Sequence, residues 1–180
     1  MTMQSRIAAV AASDLVTFNL SNEVLAVPTS QLREVLEPGR ITRVPGADQF
    51  VSGLLNVRGA VVPLADLRVP LRMPRDETVE DPRILVLELP LQGQDTIVGI
   101  LADSVYEVTQ IAAADLEDIP PVGTRWPPRF VSAVGRWGEA FVTIPDLAII
   151  FAEFLAGQDG HVETPAQSGK PMEAEASRCD

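Results

Sequence analysis

The sequence predicts a mainly β fold, a sandwich or barrels, with one short helix near the C-terminal end. Three observations predict it. Apolar residues recur with period two along most of the 180-residue chain, turn-forming residues interrupt them at close intervals, and an 18-residue unit occurs twice. Period-two alternation places apolar side chains on one face of an extended strand. Many short strands with close breaks build sandwiches or barrels.

Taken in order, the first dozen residues are rich in Ala and Ser, and a flexible N-terminus is expected over residues 1–13. Val16, Phe18 and Leu20 then alternate with Thr17 and Asn19, and a Ser21-Asn22 turn leads into Val24–Val27. A short helical turn fits around Thr29–Leu32. Further apolar runs follow at Ile41–Val44, Leu54–Val57, Ala60–Leu64, Ile84–Leu89, Thr96–Leu101, Val105–Val108, Val131–Val134 and Ala140–Ile144. Pro38-Gly39, Pro45-Gly46, Arg58-Gly59, Gln92-Gly93, Pro120-Pro121 and Trp137-Gly138 punctuate them. One segment changes period. Asp146 can cap a helix in which Leu147, Ile150, Phe151, Phe154 and Leu155 form a single apolar stripe. Residues 156–180 hold only Val162 and Met172 as large apolar residues and read as a disordered tail.

The repeat aligns residues 50–67 on residues 130–147 without a gap, and seven of the 18 positions are identical. Both copies run strand, tight turn, strand, Asp-Leu, which suggests duplicated half-domains. The Pro-rich stretch Val69–Pro82 would connect them.

Charge is uneven. Net charge is −11, which disfavours nucleic acid as a partner. Arg33–Arg75 carries seven arginines against four acids, whereas Asp76–Asp118 carries eleven acids against one arginine. That pattern fits two solvated surfaces, or separate docking faces for partners of opposite sign. Cys179 is the lone cysteine, which fits a reducing compartment, and nowhere do 18 apolar residues run together.

Enzyme chemistry finds little support. His161 is the single histidine and lies in the tail, which excludes most acid–base and metal constellations. Asp66, Asp103 and Asp146 each follow an apolar strand; Asp commonly closes turns and helices at such places. A hydrolase using Asp66 and Asp103, and a ligand-binding barrel sensor, stand as alternatives. Neither a catalytic residue nor a cofactor is expected.

Gly53-Leu54-Leu55-Asn56-Val57-Arg58-Gly59-Ala60-Val61-Val62-Pro63-Leu64-Ala65-Asp66-Leu67-Arg68 resembles the signature of the CheW family, adaptors that couple chemoreceptors to the histidine kinase CheA. Phe18-Asn19-Leu20, Ala26-Val27-Pro28, Leu32-Arg33-Glu34-Val35, Gly99-Ile100-Leu101-Ala102-Asp103 and Val142-Thr143-Ile144-Pro145-Asp146-Leu147 fall in the same order. The resemblance covers residues 14–155. It implies two intertwined five-stranded SH3-like β-barrels and a non-enzymatic adaptor without a cofactor. It also implies a cytoplasmic location at membrane-anchored receptor arrays, without insertion into the membrane. The implied partners are the regulatory domain of a CheA-type kinase and the cytoplasmic tip of methyl-accepting chemoreceptors. By matched position it implies Leu32, Glu34, Gly53 and Arg58 as partner contacts.

Overall fold

The computed structural model describes residues 3–75, 78–117 and 125–156. Helix α1 (Met3–Ala11) precedes the hairpin β1 (Leu15–Leu20) and β2 (Glu23–Pro28). Six strands follow: β3 (Leu32–Leu36), β4 (Thr42–Arg43), β5 (Val51–Val57), β6 (Ala60–Ala65), β7 (Arg83–Leu91) and β8 (Gln94–Ala102). The chain then gives β9 (Ser104–Thr109), β10 (Leu116–Glu117), β11 (Val131–Trp137), β12 (Ala140–Pro145) and helix α2 (Leu147–Ala156).

The strands form two SH3-like barrels. One has the order β10-β11-β12-β2-β1-β9 and the other β3-β7-β8-β6-β5-β4. Each therefore holds five long strands, as expected, with a two-residue sixth at one edge, β10 or β4. Read from its other end, the first order matches the second strand for strand: β9 stands for β3, β1 for β7, β2 for β8, and β12, β11 and β10 for β6, β5 and β4. The second barrel is inserted whole between β2 and β9 of the first, which is the physical meaning of intertwined here.

This equivalence places the repeated unit. Hairpins β5–β6 and β11–β12 take matching positions, and both shift register at the same point, between Val51 and Gly53 and between Val131 and Ala133. Asp66 N donates to Phe50 O and Asp146 N to Phe130 O, each at 2.8 Å. After Asp146 the chain forms α2, whereas after Asp66 it makes a tight turn with Leu71 N donating to Leu67 O at 3.1 Å.

Period two produced three cores because each barrel has an inside and a face toward its neighbour. Leu15, Ala26, Ala133, Val142 and Ile144 fill the first barrel, and Leu55, Val62, Leu64, Ile84 and Val86 fill the second. The largest cluster lies between them. There Phe18 and Leu25 from the first barrel meet Leu85, Leu87 and Ile100 from the second, with Phe50, Phe130, Leu147, Ile150 and Phe151. Phe50 packs edge-on to Phe151 at 5.0 Å. The apolar stripe expected on the C-terminal helix is what seals this junction.

Three expectations are corrected. Val69–Pro82 joins β6 to β7 inside the second barrel and does not link the barrels, between which the chain crosses after β2 and after β8. Residues 3–11 are helical rather than loose: Val10 is buried in the first barrel's core, with Ile7 and Ala11 against it. Ala-rich segments have high helix propensity, and docking an apolar face stabilises even a short helix. The 41–44 run is a strand only at Thr42–Arg43, and β3 and β10 form where no strand was expected. The short helical turn is present as a 3-10 turn at Thr29–Gln31. Of the tail expected over 156–180, Ala156 closes α2, and residues 157–180 lie outside the described residues.

Candidate docking groove

Arg58 occupies the β5–β6 turn, with Val57 paired to Ala60 across it. Its φ is 53° and that of Gly59 is 89°, the pattern of a type I′ turn, whose right-handed twist suits a hairpin. Asn56 Oδ1 accepts from Gly59 N at 2.8 Å. Left-handed backbone disfavours most side chains, and Gly or Asn would sit there more easily. An arginine at this position is retained against that preference.

Its guanidinium reaches back across the barrel to β3. Nε donates to Glu34 Oε1 and Nη2 to Glu34 Oε2, both at 3.1 Å. The two parallel bonds are the fork geometry that arginine provides and lysine does not. Hydrogen bonding to Glu34, then the attraction of its charge, raises the Arg58 guanidinium above its ordinary value. The pair is one-sided in exposure: 82% of the Arg58 side chain faces solvent against 24% for Glu34. Glu34 anchors, and Arg58 is presented.

Beneath the clasp lies a shallow groove of about 410 Å³ with Val57, Val62, Val86 and Ile97 in its lining. Arg33, also in the lining, pairs with Glu88 of β7. A small apolar floor between two arginine–glutamate pairs can hold an apolar side chain of a partner and orient it by charge. Among the described residues no cluster of three or more His, Cys, Asp or Glu could hold a metal ion.

Two of the four residues implied as contacts, Glu34 and Arg58, meet directly. Leu32 lies on the same strand but packs against the core between the barrels. Gly53 is buried in β5 opposite Arg43 of β4, under the side chain of Ile41. The sequence reading missed Arg33 and Glu88, for which the adjacency of Arg33 and Glu34 was the available sign. It also missed that the repeat-equivalent Val61 and Phe141 both stand exposed, at 70% and 66%. The first barrel closes its hairpin tip differently, by Trp137 packing against Tyr106 of β9 at 5.5 Å. The aspartates close turns, as expected of them: Asp146 Oδ1 accepts from Ile149 N at 3.1 Å, and Asp66 Oδ1 from Arg68 N at 3.0 Å.

The two SH3-like barrels thus present an exposed, charge-flanked groove and a paired arginine at a hairpin tip. The family model for the CheW-like domain matches residues 14–154, from the start of β1 to α2, and the chain belongs to that family. It is 26% identical over 134 residues to the chemotaxis protein CheW of Klebsiella aerogenes, covering 74% of this chain and 78% of that one. Protein PilI of Pseudomonas aeruginosa is 28% identical over 106 residues, 58% of this chain and 57% of its own. Among solved structures, the scaffolding protein TtCheW from Thermoanaerobacter tengcongensis superposes with a TM-score of 0.67 at 28% identity, covering 77% of this chain and 92% of that one.

Proposed function

We propose that the chain is a non-enzymatic adaptor that couples chemoreceptors to a CheA-type histidine kinase. The observation that carries the reading is the Arg58–Glu34 clasp over an apolar groove, within a CheW-like domain that spans both barrels. Leu32, Glu34, Gly53 and Arg58 serve the partner side of the molecule: Arg58 and Glu34 by contact, Leu32 and Gly53 by shaping β3 and β5 beneath them. The regulatory domain of the kinase docks on one barrel, and the receptor's cytoplasmic hairpin tip docks where the two barrels meet, apart from the Arg58 groove, whose lining belongs to the second barrel.

An adaptor of this kind acts by geometry. It holds kinase and receptor in one arrangement, so that a change in the receptor biases the kinase between two states. Closed barrels suit the task, since closure leaves few free edges. The protein works in the cytoplasm beside membrane-anchored receptors. No described helix is long and apolar enough to cross a membrane; in this reading the receptor supplies the attachment.

The test is reconstitution. The purified chain, a CheA-type kinase and receptor fragments in nanodiscs are mixed, and autophosphorylation is followed. The chain should bind kinase and receptor separately and make kinase activity depend on the receptor. Binding to neither partner would remove the proposal.

A further inference from the structure

Both barrels press apolar faces into the central cluster, and burial of apolar surface is non-directional. Such an interface tolerates sliding unless directional bonds select one register. Those bonds are present at one end of the junction. Arg68, just after β6 of the second barrel, donates from Nε to Asp66 Oδ1 at 2.8 Å, and its Nη1 lies 3.6 Å from Asp103 Oδ1. Asp103 stands where the chain crosses from β8 of the second barrel to β9 of the first. Its other oxygen, Oδ2, accepts from Ser21 N at 2.6 Å, and Ser21 belongs to the β1–β2 turn of the first barrel. Ser21 Oγ donates to Pro74 O in the second barrel's segment after β6, while Arg75 Nη2 lies 3.4 Å from Asp66 Oδ2.

This network is enclosed. The Asp66 side chain is 5% exposed and that of Arg68 12%. Ser21 holds φ at 53°, a conformation disfavoured for serine, and there both its N–H and its hydroxyl are bound. The repeat supplies the contrast. Asp146 occupies the place of Asp66, but Ala148 stands where Arg68 does, and among the described residues the carboxylate meets the start of α2 and, at 3.7 Å, Arg6 of α1. The junction thus carries a barrel-to-barrel ionic network at the Asp66 end, and the Asp146 end is built without its arginine.

We propose that Asp66, Arg68 and Asp103, together with the Ser21 turn, form a lock that sets the angle between the two barrels, with Arg68 as its positioning residue. Buried ion pairs add little net stability, and in some proteins they select one arrangement over its alternatives. The lock lies within the chain itself, so this goes beyond the adaptor reading and holds whichever partner sits on either barrel. Its consequence for an adaptor is that the two docking faces keep a fixed relation.

The experiment places nitroxide labels at Gln94→Cys in the second barrel and Glu139→Cys in the first, both exposed positions, with Cys179→Ser. Electron–electron distances are then measured by pulsed resonance in the full chain. The parent should give one narrow distance. Arg68→Met should broaden the distribution at least two-fold or add a second distance while the amide spectrum of each barrel is kept, and Arg68→Lys should recover part of the parent width. Should Arg68→Met fail to fold, Asp103→Asn decides, because it keeps an acceptor for Ser21 N and removes the charge facing Arg68. Distributions as narrow as the parent in the folded variants would overturn the lock.

Discussion

A β-carbon added to Gly53 would stand 2.6 Å from Cγ2 of Ile41, well inside contact distance. Glycine is therefore required here by close approach, where β5 resumes its pairing after the register shift and opposes Arg43. Ile41 is β-branched and stiff at χ1, and it packs against the second barrel's core. Gly53→Ala should destabilise by ~1–3 kcal/mol, the usual cost of overpacking. Chemical denaturation measures this. In the double variant Ile41→Ala/Gly53→Ala the loss should fall short of the sum of the singles. Strict additivity would show that the clash is relieved elsewhere.

The Arg58–Glu34 clasp makes a separable prediction. Exposed ion pairs contribute little to stability, so Arg58→Ala should leave the melting temperature close to that of the parent. Affinity for the kinase or the receptor should fall about 30-fold, the scale of a hot-spot side chain. Calorimetric titration with each partner separately, beside a thermal melt, gives both numbers. An intact affinity for both partners combined with a large fall in melting temperature would make Arg58 a structural residue.

What was legible in the sequence follows from range. Ser21-Asn22, Arg58-Gly59 and Gln92-Gly93 read as turns because each pair holds an Asn or Gly, the residues that enter positive φ most easily. The repeat read as two half-domains because it carries both strands of a hairpin and the Asp that follows. Helix α1 was illegible because its order comes from burying Val10 in the first barrel's core, against β11 and β10, which no local pattern announces. β10 was illegible because two residues hold no period. Glu34 and Arg58 are 24 residues apart, and Arg68 and Asp103 meet only when β6 lies beside β8 in parallel. Resemblance singled out the first pair; nothing local joins the second.

Salt should separate the roles of the charges. The two charged stretches interleave in part, since Glu88 and Asp95 of the acidic one lie on β7 and β8 of the second barrel and Glu88 pairs with Arg33. What stays apart is Arg40, Arg43 and Arg58 on the second barrel and Glu107, Asp115 and Glu117 on or beside β9 and β10 of the first. Exposed charges are screened over about 8 Å at physiological ionic strength. Kinase affinity should weaken steadily as salt rises from low to physiological concentration, mostly through a slower association rate. An affinity that stays flat across that range would assign the bipolar pattern to solubility alone.

Helix α2 is tied down by charge as well as by Phe151. Arg129, in the turn before β11, donates from Nε to Glu153 Oε2 at 2.8 Å and from Nη2 to Oε1 at 2.5 Å. These hydrogen bonds hold the Glu153 carboxyl below its ordinary value of 4.5. A depressed carboxyl contributes stability above its unfolded value, and that contribution is lost as pH falls through the lower folded one. Protection of α2 amides from hydrogen exchange should therefore decline below about pH 4.5, starting from that ordinary carboxyl value. In Glu153→Gln this part of the decline should be absent. An identical acid profile in the variant would show that α2 is held by the apolar junction alone.

The two hairpin tips, equivalent by the repeat, are not interchangeable. At β5–β6 both turn residues have positive φ, Arg58 at 53° and Gly59 at 89°. At β11–β12 only Gly138 is positive, at 61°, and Glu139 is not. The first pattern is type I′ and the second fits type II′, whose first position favours glycine far more strongly. The swap should then be asymmetric. Arg58→Gly removes a strained side chain and should keep or slightly raise stability, even as it abolishes the Glu34 clasp. Gly138→Arg should destabilise by ~1–3 kcal/mol, the range for a side chain forced into a glycine conformation. The space around Gly138 is open, with nothing within 4 Å of an added β-carbon, so a loss there would be conformational and not steric. Matched denaturation curves for the two variants decide it. Equal tolerance at both tips would mean that the turns convert freely, and that the arginine at position 58 carries no backbone cost for partner binding to offset.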